Sequence, residues 1–346
     1  MKHTTGPSSN RPGRASEERL SEIRRTAAAA SSSAAASGAG SKAATALTGY
    51  YGLPLFKPPQ WKWEVPGYFF AGGAAGAAAI IAGAGQVCGA DPRLVRDARW
   101  IAALGGAISP ALLISDLGRP ERFLNMLRVF KLQSPMSVGS WTLAVFSSAA
   151  AAALFFDASL RGRSLPAITI GAASQAVATL TGMPLATYTG VLLGATVIPV
   201  WAESAAELPV HFAASGLGSA VSLLELKDHE SHRALNALGI GSSAVETVMG
   251  LRMAAKREPA LKALKTGRAG WMSRAAAVLS GPLPLVLRLL AGSSGARSSR
   301  RLRRMAAAST VVGSVLTRYA WVGSGRASAA DPSLPLELSS RRSSAE

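Results

Sequence analysis

From Gly67 onward the chain is written as runs of apolar and small residues, separated by short polar or proline-bearing breaks. Runs of about 20 residues, helical at roughly 1.5 Å per residue, are long enough to cross the hydrocarbon core of a bilayer. The pattern predicts such helices near 67–87, 98–115, 138–156, 168–198, 207–225, 236–254, 272–291 and 305–322. The fourth run is too long for one straight helix and is expected to kink at Gly182 and Pro184, or to divide there. Eight crossings is the preferred count and nine the alternative. Before the first run, "YYGLPLFKPPQWKWEVPGYFF" is aromatic and proline-rich, as segments at a membrane–water interface are.

The runs are saturated with glycine, alanine and serine, as in "FFAGGAAGAAAIIAGAG" and "FSSAAAAALFF". In lipid, helices gain little from hydrophobic association, and small residues let backbones approach closely, so a tight all-α bundle is expected. Residues 1–48 lack this periodicity and are rich in Ser, Ala, Gly and Arg; they read as a disordered basic tail, followed by a membrane domain at 49–325 and a short tail at 326–346.

Composition sharpens the class. The 346 residues are 49% hydrophobic and only 16% charged, where soluble domains average about one-quarter charged. The net charge of +18 sits in basic clusters such as "KREPALKALKTGR" and "RSSRRLRR", next to apolar runs and without aromatic residues to stack bases. That arrangement fits membrane-flanking charge and argues against nucleic acid as a partner. Segments on the N-terminal side of the predicted bundle hold more Lys and Arg than those opposite, which places both termini in the cytoplasm under the positive-inside rule. Cys88 is the one cysteine, and the histidines are His3, His211, His229 and His232. Neither a thiolate-held cluster nor a haem pair within the spans can be built from that set.

Charge at membrane depth is costly, so each ionisable residue there is a functional suspect. Asp116, Glu246, Arg288 and Arg318 qualify, with Glu64 and Glu203 at span ends. Arg288 and Arg318 lie close enough to run ends to snorkel to the interface, and snorkelling or packing is preferred over a functional role for them. Glu246, in "SSAVETVMG", is expected to face the bundle interior toward an arginine or a hydroxyl, as a structural pair or as a step in a proton path. Asp116 ends the second run and is followed by Gly118, Arg119, Pro120 and Arg122; the proline disfavours helix at Arg119, so an acid and two arginines gather at a helix end. They form either an internal salt bridge or a proton-exchanging site for a redox molecule arriving from lipid. Tyr188 and its neighbours Thr187 and Thr189, in the kinked "ATYTG" stretch, add a phenol and two hydroxyls, and irregular backbone at membrane depth points to a pocket there.

Six ordered blocks carry a resemblance: "WKWEVPGYFFAGG", "DLGRPERFLNMLRVF", "SPMSVGSW", "PLATYTGVLL", "IPVWAES" and "RYAWVGSGRASAADP". Over about 50–332 the chain resembles the NrfD/PsrC family of integral membrane subunits. The resemblance implies an all-α membrane protein of about eight transmembrane helices, arranged as two four-helix bundles in the cytoplasmic membrane. It implies no haem or iron–sulfur cluster in this chain, a quinone such as menaquinone as exchangeable substrate, and two partners: a ferredoxin-like iron–sulfur subunit and a molybdopterin-type catalytic subunit. By position, Asp116 would exchange the quinone proton, with Arg119 and Arg122 tuning it. Tyr188 and Glu64 would meet the head group, and Trp141 would pack the wall. Some members place a histidine at the quinone; His211 could stand in, although a stray helix-end histidine is the preferred reading. Two other functions stay open, an ion-translocating subunit using Glu246 and Asp116, and a purely structural anchor.

The purified chain, separated from any partner, is expected to show no Soret absorption and no stoichiometric iron. Either signal would overturn the expectation of a subunit without its own redox cofactor.

Overall fold

The structure, a computed structural model, describes residues 56–159, 164–331 and 334, and the predicted N-terminal tail lies outside them. The described residues form helices joined by short turns and irregular segments, with no strand among them. Their order is α1 (Glu64–Val87), α2 (Pro92–Asp116), a short α3 (Arg122–Arg128), α4 (Pro135–Ser159), α5 (Leu165–Gly194) and a short α6 (Pro199–Glu203). Then follow α7 (Leu208–Leu224), a π-helical turn (Glu225–His229), α8 (Arg233–Ala255), a 3₁₀ turn (Pro259–Leu261), α9 (Lys262–Lys265), α10 (Gly267–Ser280), α11 (Pro282–Ser293) and α12 (Ala296–Ala330). An all-α membrane architecture is what the pattern predicted.

Each predicted span falls on a helix. Five segments are long and apolar enough to cross a bilayer: Glu64–Val87, Pro92–Asp116, Pro135–Asp157, Leu165–Gly194 and Gly267–Ser293. The other three expected crossings lie on α7, which has 17 residues, and on α8 and α12, which are not among those five segments. The fourth run does not divide. It is one 30-residue helix with Pro184 inside it, ending at Gly194. The break comes instead in the seventh run, between α10 and α11. Pro282 supplies no N–H and crowds the residue before it, and Gly281 leaves the helical region with φ −102° and ψ −99°. At the C-terminal end α12 continues past the expected boundary at residue 325, through Ala330.

The long helices pack as two groups of four rods, α1, α2, α4 and α5, then α7, α8, the broken α10–α11 and α12. Contacts between the groups run mainly through α1, α5 and α7. α1 is the central rod: 78% of its most apolar window is buried, against 28–39% for the other four candidate spans. Glycines allow this. A Cβ on Gly76 would stand 2.6 Å from the Gly182 carbonyl oxygen, and one on Gly182 would stand 2.7 Å from that of Gly76. Where α1 crosses α7, a Cβ on Gly216 would lie 2.9 Å from the Gly73 carbonyl oxygen. No side chain fits at these crossings.

Successive rods run in opposite directions, so the connections collect at two ends. At one end Lys256 pairs with Glu207 at 2.7 Å, Trp61 stacks on Trp201, and the Tyr319 hydroxyl donates to the Trp63 carbonyl. At the other, Lys227 and His229 meet Asp97, and Arg304 meets Asp228. We call the first the entry end, because the chain enters α1 there.

Gly76→Val sets a side chain against backbone at the α1–α5 crossing, whereas Gly241 has nothing within 4 Å of a built Cβ. Gly76→Val is expected to lower the melting temperature and folded yield of the detergent-purified protein, and Gly241→Val to leave both unchanged. Equal melting curves would show that the crossing does not depend on glycine.

Candidate functional site

At the entry end of the first group, local chain chemistry brings three distant blocks together. α2 stops at Asp116, and Gly118 turns the chain with φ +67°, a left-handed conformation natural to glycine. The chain thus leaves the helix slightly before Arg119, as Pro120 led one to expect. After α3 it reaches Pro135, which opens α4. The Tyr188 hydroxyl on α5 donates to the Pro135 carbonyl oxygen at 2.7 Å. Its ring passes where Gly139 has no side chain; a Cβ there would lie 1.9 Å from the phenol. The glycine of "SPMSVGSW" therefore makes room for the tyrosine of "PLATYTG".

Between α1, α2, α4 and α5 lies a cavity of about 180 Å³. Asp116, Tyr68 and Tyr188 line it, with Ser109, Ser140 and Thr189, and apolar walls come from residues such as Val65 and Leu143. Its polar groups are poorly satisfied by protein. Asp116 Oδ1 accepts only a long bond, 3.4 Å, from the Lys62 backbone N–H. The hydroxyls of Ser109 and Thr189 are buried with no hydrogen-bond partner among the described residues. A buried hydroxyl left unpaired costs about 1–3 kcal/mol, so the lining suits a ligand that carries hydrogen-bonding oxygens on a compact apolar frame.

Not every predicted residue reaches this cavity. Arg119 and Arg122 are exposed and form no ion pair with Asp116 among the described residues. The expected desolvated triad does not form, because Gly118 turns the chain outward directly after the aspartate. Glu64 does not line the cavity; it is half-buried, with Oε2 unpartnered. Trp141 is not part of the lining; it is half-buried, with Nε1 buried and unpartnered among the described residues, and packs edge-on to Phe130 at 6.1 Å. Thr189, one of the two hydroxyls expected beside Tyr188, does line the cavity, whereas Tyr68 and Ser109 were not singled out from the sequence. The signal was present in Tyr68, four residues after Glu64 in the "WKWEVPGYFF" block, but hydroxyls among small residues read as helix packing.

The second group holds the remaining suspects. His211 shares no cavity with Asp116, and it is no stray helix-end residue: it faces Glu246, with Nδ1 3.7 Å from Oε2. Glu246 is buried and takes a hydrogen bond from the Ser280 hydroxyl at 3.0 Å, the interior hydroxyl partner expected of it. Glu203 is exposed. The snorkelling reading fails for both arginines. Arg318 is 1% exposed, donates to the Phe212 carbonyl and lies 4.1 Å over the Phe212 ring. Arg288 is likewise buried and forms a two-pronged pair with Glu225, at 2.6 and 2.7 Å. Gly239 leaves the space its guanidinium fills. Glu225 closes the predicted run 207–225 but was not singled out among the ionisable residues at membrane depth; it is fully buried at the start of the π-helical turn.

A family model described as "Polysulphide reductase, NrfD" matches residues 55–326. The match covers most of the chain, which therefore belongs to the NrfD family of integral membrane proteins. No curated protein matches the sequence.

Arg288→Met would leave the Glu225 carboxylate buried without its cation, a loss of about 3–5 kcal/mol in comparable buried pairs. The single variant is expected to melt well below the parent, and Glu225→Leu/Arg288→Met to recover most of the loss. Thermal denaturation of the purified variants checks this; a single variant as stable as the parent would mean the pair carries no stability.

Proposed function

We propose that this NrfD-family chain is the quinone-reactive membrane subunit of an oxidoreductase complex. It passes electrons between the quinone pool of the cytoplasmic membrane and an iron–sulfur partner, which relays them to a molybdopterin-type catalytic subunit. One observation carries the reading: a cavity between membrane helices holds a carboxylate that accepts only one long backbone bond, beside buried hydroxyls that have no partner among the described residues. A quinone or quinol head group has oxygens to satisfy them and an apolar ring to fill the space between.

The work of the protein is then binding, orientation and proton handling, while the quinone supplies the redox chemistry. Ser109 and Thr189 hold one edge of the ring, and Tyr68 the adjacent wall. Tyr188, pinned to Pro135 and backed by Gly139, closes the side formed by α4 and α5. Asp116 takes a proton from a quinol hydroxyl, or returns one to the quinone in the opposite direction. Its place at the last turn of α2, half-buried, puts that proton next to the entry end and to water. The exposed Arg119, Arg122, Arg128 and Lys131 of the same connection form a basic surface for the electron-transfer partner.

A second reading, ion translocation, draws on the ionisable groups buried in the second group, Glu246, Arg318 and the Glu225–Arg288 pair. It predicts an electrical response to turnover in sealed vesicles that the first reading alone does not.

Asp116→Asn preserves shape and removes the proton acceptor. Quinone-linked turnover per assembled complex is expected to fall about 10²- to 10⁴-fold, the usual worth of general acid–base assistance. Turnover of the catalytic partner with an artificial acceptor is expected to stay near that of the parent. Normal quinone turnover per complex would remove Asp116 from the chemistry and favour a structural anchor.

A further inference from the structure

The second four-helix group also encloses a cavity, and it is the larger of the two, about 510 Å³. α8, α10 and α12 form its walls, with His211 of α7 at its inner end. Like the first, it lies toward the entry end, where Lys265 and Arg274 stand at its rim. Its walls are apolar, built from residues such as Leu251, Met253 and Val278.

The inner end is not apolar. Glu246 is 3% exposed; its Oε2 is held by Ser280, and its Oε1 has no partner among the described residues. His211 Nδ1 is buried without a hydrogen bond as well. An acceptor and an imidazole nitrogen thus face the cavity side by side, at the bottom of an apolar shaft. Unsatisfied polar atoms at such depth are costly, and a pocket of mostly apolar lining with a few convergent polar groups is the usual form of a small-molecule site.

The polarity gradient selects the occupant. A phospholipid would set acyl chains against Glu246 and His211 while its head group stayed at the rim. A molecule that enters head-first, with one hydrogen-bonding ring and a long apolar tail, matches both ends. We infer that this cavity is a second binding site for a lipid-soluble quinol, with a ring hydroxyl donating to Glu246 Oε1 and facing His211 Nδ1, and the tail along the α8–α10 walls. The choice of ligand rests on the quinone reading of the family, but the site is independent of Asp116, since the two cavities share no lining residue.

The test is equilibrium binding of a short-tailed naphthoquinol, held reduced, to the full chain in lipid nanodiscs, followed by quenching of tryptophan fluorescence and by counting bound probe. The parent is expected to bind two equivalents. Glu246→Leu, which removes the acceptor, and Ala277→Phe, which fills the shaft, are each expected to bind one, with Asp116-linked turnover retained. Ala277→Phe leaves the buried polar groups in place, so it answers the question even if Glu246→Leu fails to fold. A single equivalent in the parent that Ala277→Phe does not reduce would overturn the second site and leave the first intact. A single equivalent abolished by Ala277→Phe and untouched by Asp116→Asn would support the second site and remove the first. Co-purified phospholipid that the probe cannot displace, and that Ala277→Phe eliminates, would overturn the assignment of the occupant.

Discussion

In a bilayer the hydrocarbon around a helix is as apolar as its neighbours, so hydrophobic association cannot hold a bundle together. What remains is close packing, and close packing of helices depends on residues that do not hold the backbones apart. The crossings of Gly76 with Gly182 and of Gly73 with Gly216 meet that condition. They fix α1 against α5 and α7, and through those contacts they join the two four-helix groups. Every other feature of the molecule sits where this packing is complete or where it is interrupted.

Interruptions take two forms. In one, glycine yields to a large side chain from another helix: Gly139 to the Tyr188 ring, Gly239 to the Arg288 guanidinium, and Gly325 to Trp201. A polar or aromatic residue is thereby placed in a rigid socket rather than at the lipid surface. In the other, no side chain fills the space and a cavity opens. Both cavities lie toward the entry end, one in each group, and both carry polar atoms that protein does not satisfy. Away from the cavities the Arg288–Glu225 pair joins two buried charges directly, with both carboxylate oxygens taken up.

The connection between α2 and α4 links the first cavity to the surface. Asp116 closes the helix inside the bundle, and within a few residues Arg119 and Arg122 are in solvent. Substrate chemistry and partner docking can share this short segment because Gly118 reverses the chain between them. The dense charge of the "DLGRPERF" block therefore serves two surfaces and not one buried cluster.

The sequence by itself determined that the chain is a bundle of membrane-length helices, because length, apolarity and small-residue content are properties of each run alone. It also determined that Asp116 ends a helix, since glycine and proline act on their own neighbours. The six blocks pointed to the family. What they could not decide was which residues meet across helices. Arg288 and Arg318 near run ends look like snorkelling residues; only packing shows Glu225 delivered to the first by a π-helical turn, and Phe212 beneath the second. Trp141 and Tyr188 were both expected at the first site, and only the packing of α4 and α5 sets Tyr188 in the cavity lining and Trp141 against Phe130. His211 and Glu246, 35 positions apart in the numbering of the chain, become neighbours because α7 and α8 run antiparallel. Local chemistry sets where a helix begins and ends, and contacts between helices set which side chains share a cavity.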